Sequence, residues 1–105
     1  MHKTVVIEAL VAVLTDLDSP SPHAIYEGLF PNIYIDGRYY PGKVVRCSHT
    51  LGLGASGEVQ IWMEDSEESP SLLHPGSSFE LRGGPKVPIA KCKVISIRPL
   101  EALDK

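Results

Sequence analysis

The residues Glu58-Val59-Gln60-Ile61-Trp62-Met63-Glu64 alternate without interruption. Val59, Ile61 and Met63 fall on one side, and Glu58, Gln60, Trp62 and Glu64 on the other. A period of two places one set of side chains in a core and the other outside, so this segment predicts a half-buried β-strand. Trp62 is the exception to the polar side, a large aromatic ring on the face that should meet solvent.

Outward from this strand the chain continues to read as β. Upstream lies the glycine-rich loop Gly52–Gly57, and before it Lys43–Ser48, a short strand candidate. Pro31–Tyr34 and Tyr39–Tyr40 flank Asp36-Gly37, the dipeptide that favours a tight hairpin turn. Thr4–Thr15 carries Val5, Val6, Ile7, Val11, Val13 and Thr15. A helix there, capped by Thr4 with Val6, Leu10, Val13 and Leu17 along one side, is the competing reading. The β-branched excess favours the strand, because stiff side chains lose rotamer freedom in a helix. Asp16–Pro22 is a loop with two prolines and two serines. Downstream, Asp65–Gly76 is an acidic Ser/Pro-rich loop. Phe79 and Leu81 alternate with Glu80 and Arg82, and Gly83-Gly84-Pro85 turns the chain. Val87–Ile97 forms the last strand, with a phase shift near Val94-Ile95 that predicts a β-bulge. Short strands at regular spacing imply a small antiparallel barrel or sandwich.

Length and composition set the limits. The 105 residues make one domain, spanning residues 1–105. Hydrophobic residues are 43% and charged residues 22%, a globular composition that does not suit a disordered chain. The longest apolar run, Ala9–Leu14, falls far short of the roughly 20 residues of a spanning helix, so no membrane association is expected. Met1-His2-Lys3-Thr4 lacks the pattern of a secretory signal, and two cysteines are too few for a disulfide scaffold. The expectation is a reduced, cytoplasmic protein.

The net charge of −3 argues against a strongly electrostatic nucleic-acid binder, but charge is uneven along the chain. Between Leu51 and Gly76 lie Glu58, Glu64, Asp65, Glu67 and Glu68 with no Lys or Arg. From Ser77 on lie Arg82, Lys86, Lys91, Lys93, Arg98 and Lys105 against Glu80, Glu101 and Asp104.

Leu72-Leu73-His74-Pro75-Gly76-Ser77-Ser78-Phe79-Glu80-Leu81-Arg82-Gly83-Gly84 resembles the C-terminal (third) β-barrel domain of translation elongation factor Tu-like factors. Ile7-Glu8-Ala9 opening a Val-rich strand and Phe30-Pro31-Asn32-Ile33-Tyr34 after a long loop fit the same pattern. The order of these weak motifs, over about ninety residues, carries the resemblance. It implies an all-β fold, a small closed antiparallel six-stranded barrel. In the family this domain packs on a second barrel, sits against a GTPase domain and touches aminoacyl-tRNA. This chain has no Gly-x-x-x-x-Gly-Lys-Ser/Thr loop, so nucleotide binding and hydrolysis are not carried over. Ala90-Lys91-Cys92 and Ser19-Pro20-Ser21-Pro22-His23 depart from the family pattern at positions that sit in tRNA-facing regions in the family, which argues against carrying over tRNA binding. Arg82, Gly83, Gly84 and Lys86 match it.

No catalytic constellation stands out. Cys47-Ser48-His49 places a thiol two residues from an imidazole, close enough to meet on a strand. A nucleophile also needs a lowered pKa and an orienting group, so a buried cysteine beside a surface histidine is the simpler reading. His2, His23, His49 and His74 have no metal-ligand spacing. Ser56 lacks the strand–turn–helix context of a nucleophile elbow, and Glu67-Glu68 sits in a loop with nothing to raise a pKa. The expectation is no enzyme, no cofactor and no metal.

Binding candidates are Trp62, Leu10, Arg82, Gly83, Gly84, Lys86, Lys91 and Lys93. The first strand carries Val6, Leu10, Ala12 and Leu14 on the side opposite Ile7, Ala9, Val11 and Val13, more apolar surface than a single-layered barrel wall requires. In the family that the chain resembles, such a face meets the second barrel. The function expected is a non-enzymatic protein-binding module docking another protein or a second copy of itself. The alternatives are RNA (tRNA) binding through the Arg82–Lys93 stretch, or an immunity or inhibitor protein.

Overall fold

The computed structural model describes residues 3–14, 24–65, 73–84 and 87–99. The expected loop at Asp16–Pro22, the segment Ser19–His23, the acidic pair Glu67-Glu68 and the binding candidate Lys86 lie outside the described residues. Six strands follow in chain order: β1 (Lys3–Val13), β2 (Asn32–Ile35), β3 (Arg38–Cys47), β4 (Ser56–Asp65), β5 (Ser78–Gly84) and β6 (Val87–Pro99). They close into an antiparallel barrel in the order β1-β4-β3-β2-β5-β6, with β6 returning to β1. The all-β barrel read from the sequence is the observed fold.

The alternating segment Glu58–Glu64 lies within β4, between β1 and β3. Val59, Ile61 and Met63 are buried, and Ile61 pairs Ile7 on one side and Val44 on the other. The helical alternative for Thr4–Thr15 is excluded: β1 is extended, and Val5, Ile7, Ala9, Val11 and Val13 enter the core at period two. The isolated bridge Ile25–Leu51 contributes two further fully buried side chains.

The hairpin at Asp36-Gly37 joins β2 to β3. Both turn residues have positive φ, 47° and 81°, which matches the right-handed twist of the flanking strands. Tyr39–Tyr40 and Lys43–Ser48, read as separate segments in the sequence, fall along one strand, β3, which ends at Cys47 and leaves Ser48 outside it. The strand changes partner at Pro41-Gly42. Arg38–Pro41 pairs with β2, and pairing with β4 begins at Gly42. Proline removes one ladder donor where the partner changes, so it does not end the strand. The Gly42 N–H donates to the Pro31 carbonyl at 3.1 Å.

Bulges set the phase of the wall. In β6 the pairs Glu8–Ser96 and Ala9–Val94 leave Ile95 as the extra residue, the shift expected near Val94-Ile95. In β3 the pairs Val44–Ile61 and Arg46–Gln60 leave Val45 extra. The glycine pair expected in a turn instead belongs to the end of β5, where Gly84 pairs Val87 after register shifts at Arg82.

Gly42 is a packing site. A Cβ there would stand 2.7 Å from Ile33 Cδ1, 2.9 Å from its Cγ1 and 3.3 Å from the Pro31 carbonyl oxygen. Gly42→Ala is therefore expected to lower stability by about 1–3 kcal/mol, the usual cost of overpacking. Urea denaturation measures it, and an unchanged midpoint would mean that Ile33 moves aside freely.

Candidate functional site

Alternation along β1 that buries Val5 through Val13 turns Leu10 and Ala12 outward. Both are exposed, Leu10 at 48%. On the β6 side Leu10 lies opposite Lys93 and Ala12 opposite Lys91. Both lysines are exposed, and neither has an ion-pair or hydrogen-bond partner among the described residues. On the far side of β6, Lys93 lies opposite Ser78 and Lys91 opposite Glu80. Glu80 in turn lies opposite Tyr34 of β2. These outward side chains border a groove of about 600 Å³ across four strands, with Asp36 also lining it. Its lining is more apolar than polar. The structure thus brings together three sequence candidates, Leu10, Lys91 and Lys93.

Arg82 belongs to a neighbouring cluster. Its Nε and Nη2 both donate to Glu80 Oε1, at 3.0 and 2.7 Å, and its Nη1 donates to the Tyr39 hydroxyl at 2.8 Å. The guanidinium carbon stands 3.7 Å from the centre of the Tyr34 ring, within cation–π range. The rings of Tyr34 and Tyr39 are 4.9 Å apart at 51°. Hydrogen bonding to Glu80 holds the guanidinium above its ordinary pKa against the opposing effect of burial. Glu80 and Arg82 thus largely cancel each other's charge.

Gly83 has a packing role. A Cβ there would meet Ile89 Cδ1 at 3.0 Å. Tyr34, Tyr39, Glu80 and Asp36 were not among the sequence candidates. A signal existed in the alternation of Glu80 with Arg82 and in the turn that sets Tyr34 opposite Tyr39.

Trp62 faces outward but apart from the groove. It lies opposite Val6 of β1 and Lys43 of β3. It borders two shallow hollows, one with Phe30, Pro41 and Glu64, the other with Glu27 and Arg46. Phe30 is 72% exposed, and the Lys43 ammonium stands 5.4 Å from its ring centre. Trp62 itself is only partly exposed, and its Nε1 is buried without a hydrogen-bond partner. Val6, outward by phase, is fully buried between cross-strand neighbours Trp62 and Arg98. Arg98 Nη2 donates to Glu8 Oε1 at 3.2 Å, and Gln60 Nε2 to the same oxygen at 3.4 Å.

The Cys47 thiol donates to the main-chain carbonyl of His49 at 2.9 Å and faces that of Ile25 at 3.8 Å. The His49 Nδ1 is instead 3.4 Å from Ser48 Oγ. The thiol and the imidazole therefore do not form a hydrogen-bonded pair. Cys92 is buried in the barrel. Desolvation, with a smaller effect from the Glu80 charge, pushes its thiol pKa far up. No group of three or more His, Cys, Asp or Glu side chains is placed to hold a metal ion among the described residues. No helix among them is long and apolar enough to cross a membrane. Comparison of the chain with protein-family profiles and with curated protein sequences gives no match.

The two outward candidates should respond differently to truncation. Leu10→Asp changes an exposed side chain and should cost at most about 1 kcal/mol. Trp62→Ala uncovers Val6 and should cost about 2 kcal/mol, below the ~3–5 kcal/mol of a fully buried ring. Urea denaturation of the two variants checks the order, and equal losses would contradict it.

The thiols should also separate. In the native protein at pH 8 a thiol reagent should label Cys47, and Cys92 only after unfolding, because a buried neutral thiol is inert. The raised native pKa of Cys92 means that stability holds below the unfolded value of about 8.5 and falls as pH rises beyond it. The urea midpoint should therefore drop between pH 7.5 and 9.5, and drop less in Cys92→Ala.

Proposed function

We propose that this chain is a non-enzymatic protein-binding module, a barrel similar to the third domain of elongation factor Tu-like factors, whose partner docks on the outer face of β1 and β6. The observation that carries this reading is the groove beside Leu10. An exposed leucine and alanine share one surface with two unpaired lysines and the wall formed by Tyr34. An apolar patch rimmed by polar groups is the usual form of an interaction surface. The thiol and histidine geometry gives no activated nucleophile, which supports the non-enzymatic half of the reading.

RNA binding through Arg82–Lys93 is the weaker reading. Arg82 is engaged by Glu80 and two tyrosines, so Lys91 and Lys93 are the available cations of the described part of this stretch. So few phosphate contacts give weak binding that falls as salt rises.

The test is affinity capture with the wild-type chain, Leu10→Asp and Leu53→Asp. Leu53 is exposed at 56% and does not line the groove, so its variant serves as the surface control. A protein retained by wild type and Leu53→Asp, resistant to nuclease, and lost with Leu10→Asp is the expected result. Retention unaffected by Leu10→Asp, or submicromolar RNA binding insensitive to salt, would overturn the proposal.

A further inference from the structure

Resting on the docking surface just proposed, the geometry points to its occupant: an extended peptide segment with acidic residues two positions apart beside an apolar side chain. Lys91 and Lys93 stand at i and i+2 on one face of β6, about 6.6 Å apart along the strand. An extended peptide repeats its side chains on one face at the same interval. Carboxylates at i and i+2 of such a segment therefore reach both ammonium groups without bending the chain. The same register sets Leu10 beside Lys93 and Ala12 beside Lys91, one strand spacing away. A row of cations and a row of apolar side chains thus run together along the groove.

The charges already present leave this pair open. Glu80, opposite Lys91, accepts two hydrogen bonds from Arg82 on one oxygen. Ser78, opposite Lys93, is neutral. Asp36, in the β2–β3 turn, lines the groove as its other carboxylate. At Lys91–Lys93 β6 is paired on both sides, with β1 and with β5, so a partner cannot add itself as a strand there and main-chain pairing beside these lysines cannot supply the affinity. Recognition falls to side chains, and the cations and apolar residues just named are the groups available. A nucleic acid fits less well. Arg82 covers one face of Tyr34 at 3.7 Å, where a base would stack, and a sugar–phosphate backbone gains little from Leu10 and Ala12.

The test is selection of randomised twelve-residue displayed peptides on the purified chain, with Lys91→Thr/Lys93→Thr as counter-selection. Threonine keeps strand propensity, and an unchanged urea midpoint establishes that the double variant is folded. Recovered peptides, synthesised with a fluorophore, are then titrated by anisotropy. The expected result is enrichment of Asp or Glu at i and i+2 next to Leu, Ile, Met or Phe. Affinity should fall about tenfold in the double variant at low salt, with the gap closing at high salt. Enrichment of neutral or basic peptides, or equal affinity for both proteins, would overturn the inference. If neutral peptides bind and Leu10→Asp abolishes their binding, the docking surface stands and the acidic preference falls. If no peptide is enriched while a Leu10-dependent protein partner is captured, the occupant is a folded surface and the extended segment is overturned. Self-association in sedimentation, abolished by Glu58→Lys beside Leu10, would assign the surface to a second copy and overturn it equally.

Discussion

The barrel rests on the pairing of β1 along both of its edges. Its partners lie far away in sequence, β4 at Ser56–Asp65 on one side and β6 at Val87–Pro99 on the other. A strand formed by the first residues of a sheet would ordinarily be an edge, with a row of unpaired N–H and C=O groups open to other chains. Here the last strand closes on the first, and both rows are used. Loop entropy must be overcome before these distant contacts form, so the continuous apolar phase of Val5, Ile7, Ala9, Val11 and Val13 has to reward closure as a unit. Leu10 and Ala12 are outward because that inner phase is fixed.

Closure alone would not place the lysines outside. Ile97 of β6 pairs with Ile7, an inward position. Counting back by two from Ile97 puts Ile95, Lys93 and Lys91 on the inner face as well. The bulge at Ile95 inserts one residue and reverses the phase, so Val94 and Cys92 enter the core while Lys93 and Lys91 leave it. An unpaired ammonium in that core would be prohibitively costly. The bulge therefore serves packing and surface at once. It was legible in the sequence because no single alternation fits Val87–Ile97. The alternation of Glu58–Glu64 and the Asp36-Gly37 turn were legible for the same reason, since local periodicity and turn chemistry act within a few residues. The continuity of β3 through Pro41-Gly42 was not, because it depends on which neighbour each half of the strand meets.

The candidate site was legible only in part, and Arg82 shows why. Along the chain it heads a basic stretch with Lys86, Lys91 and Lys93. In space its charge is opposed by Glu80, two residues before it and on the same side of β5, and its plane is packed against Tyr34. A linear charge count cannot separate a cation held by its own strand and by a hairpin more than forty residues earlier from one that is free. Among the described residues of that stretch the unpaired cations are Lys91 and Lys93, and Tyr34 becomes a wall of the groove through the same cluster.

The outward face of β1 shows how one strand can be covered at one end and open at the other. A barrel wall is a single layer, so an outward apolar side chain is shielded only by its cross-strand neighbours. At Val6 these are Trp62 and Arg98, a broad ring and a long side chain tied to Glu8, and Val6 is fully buried. At Leu10 they are Glu58 and Lys93. Their charged ends stay in water, and their stems alone do not span the leucine. The residues were equivalent in the sequence, both β1 positions of the same phase. What separates them is the identity of residues some fifty and ninety positions away, brought alongside by closure of the barrel.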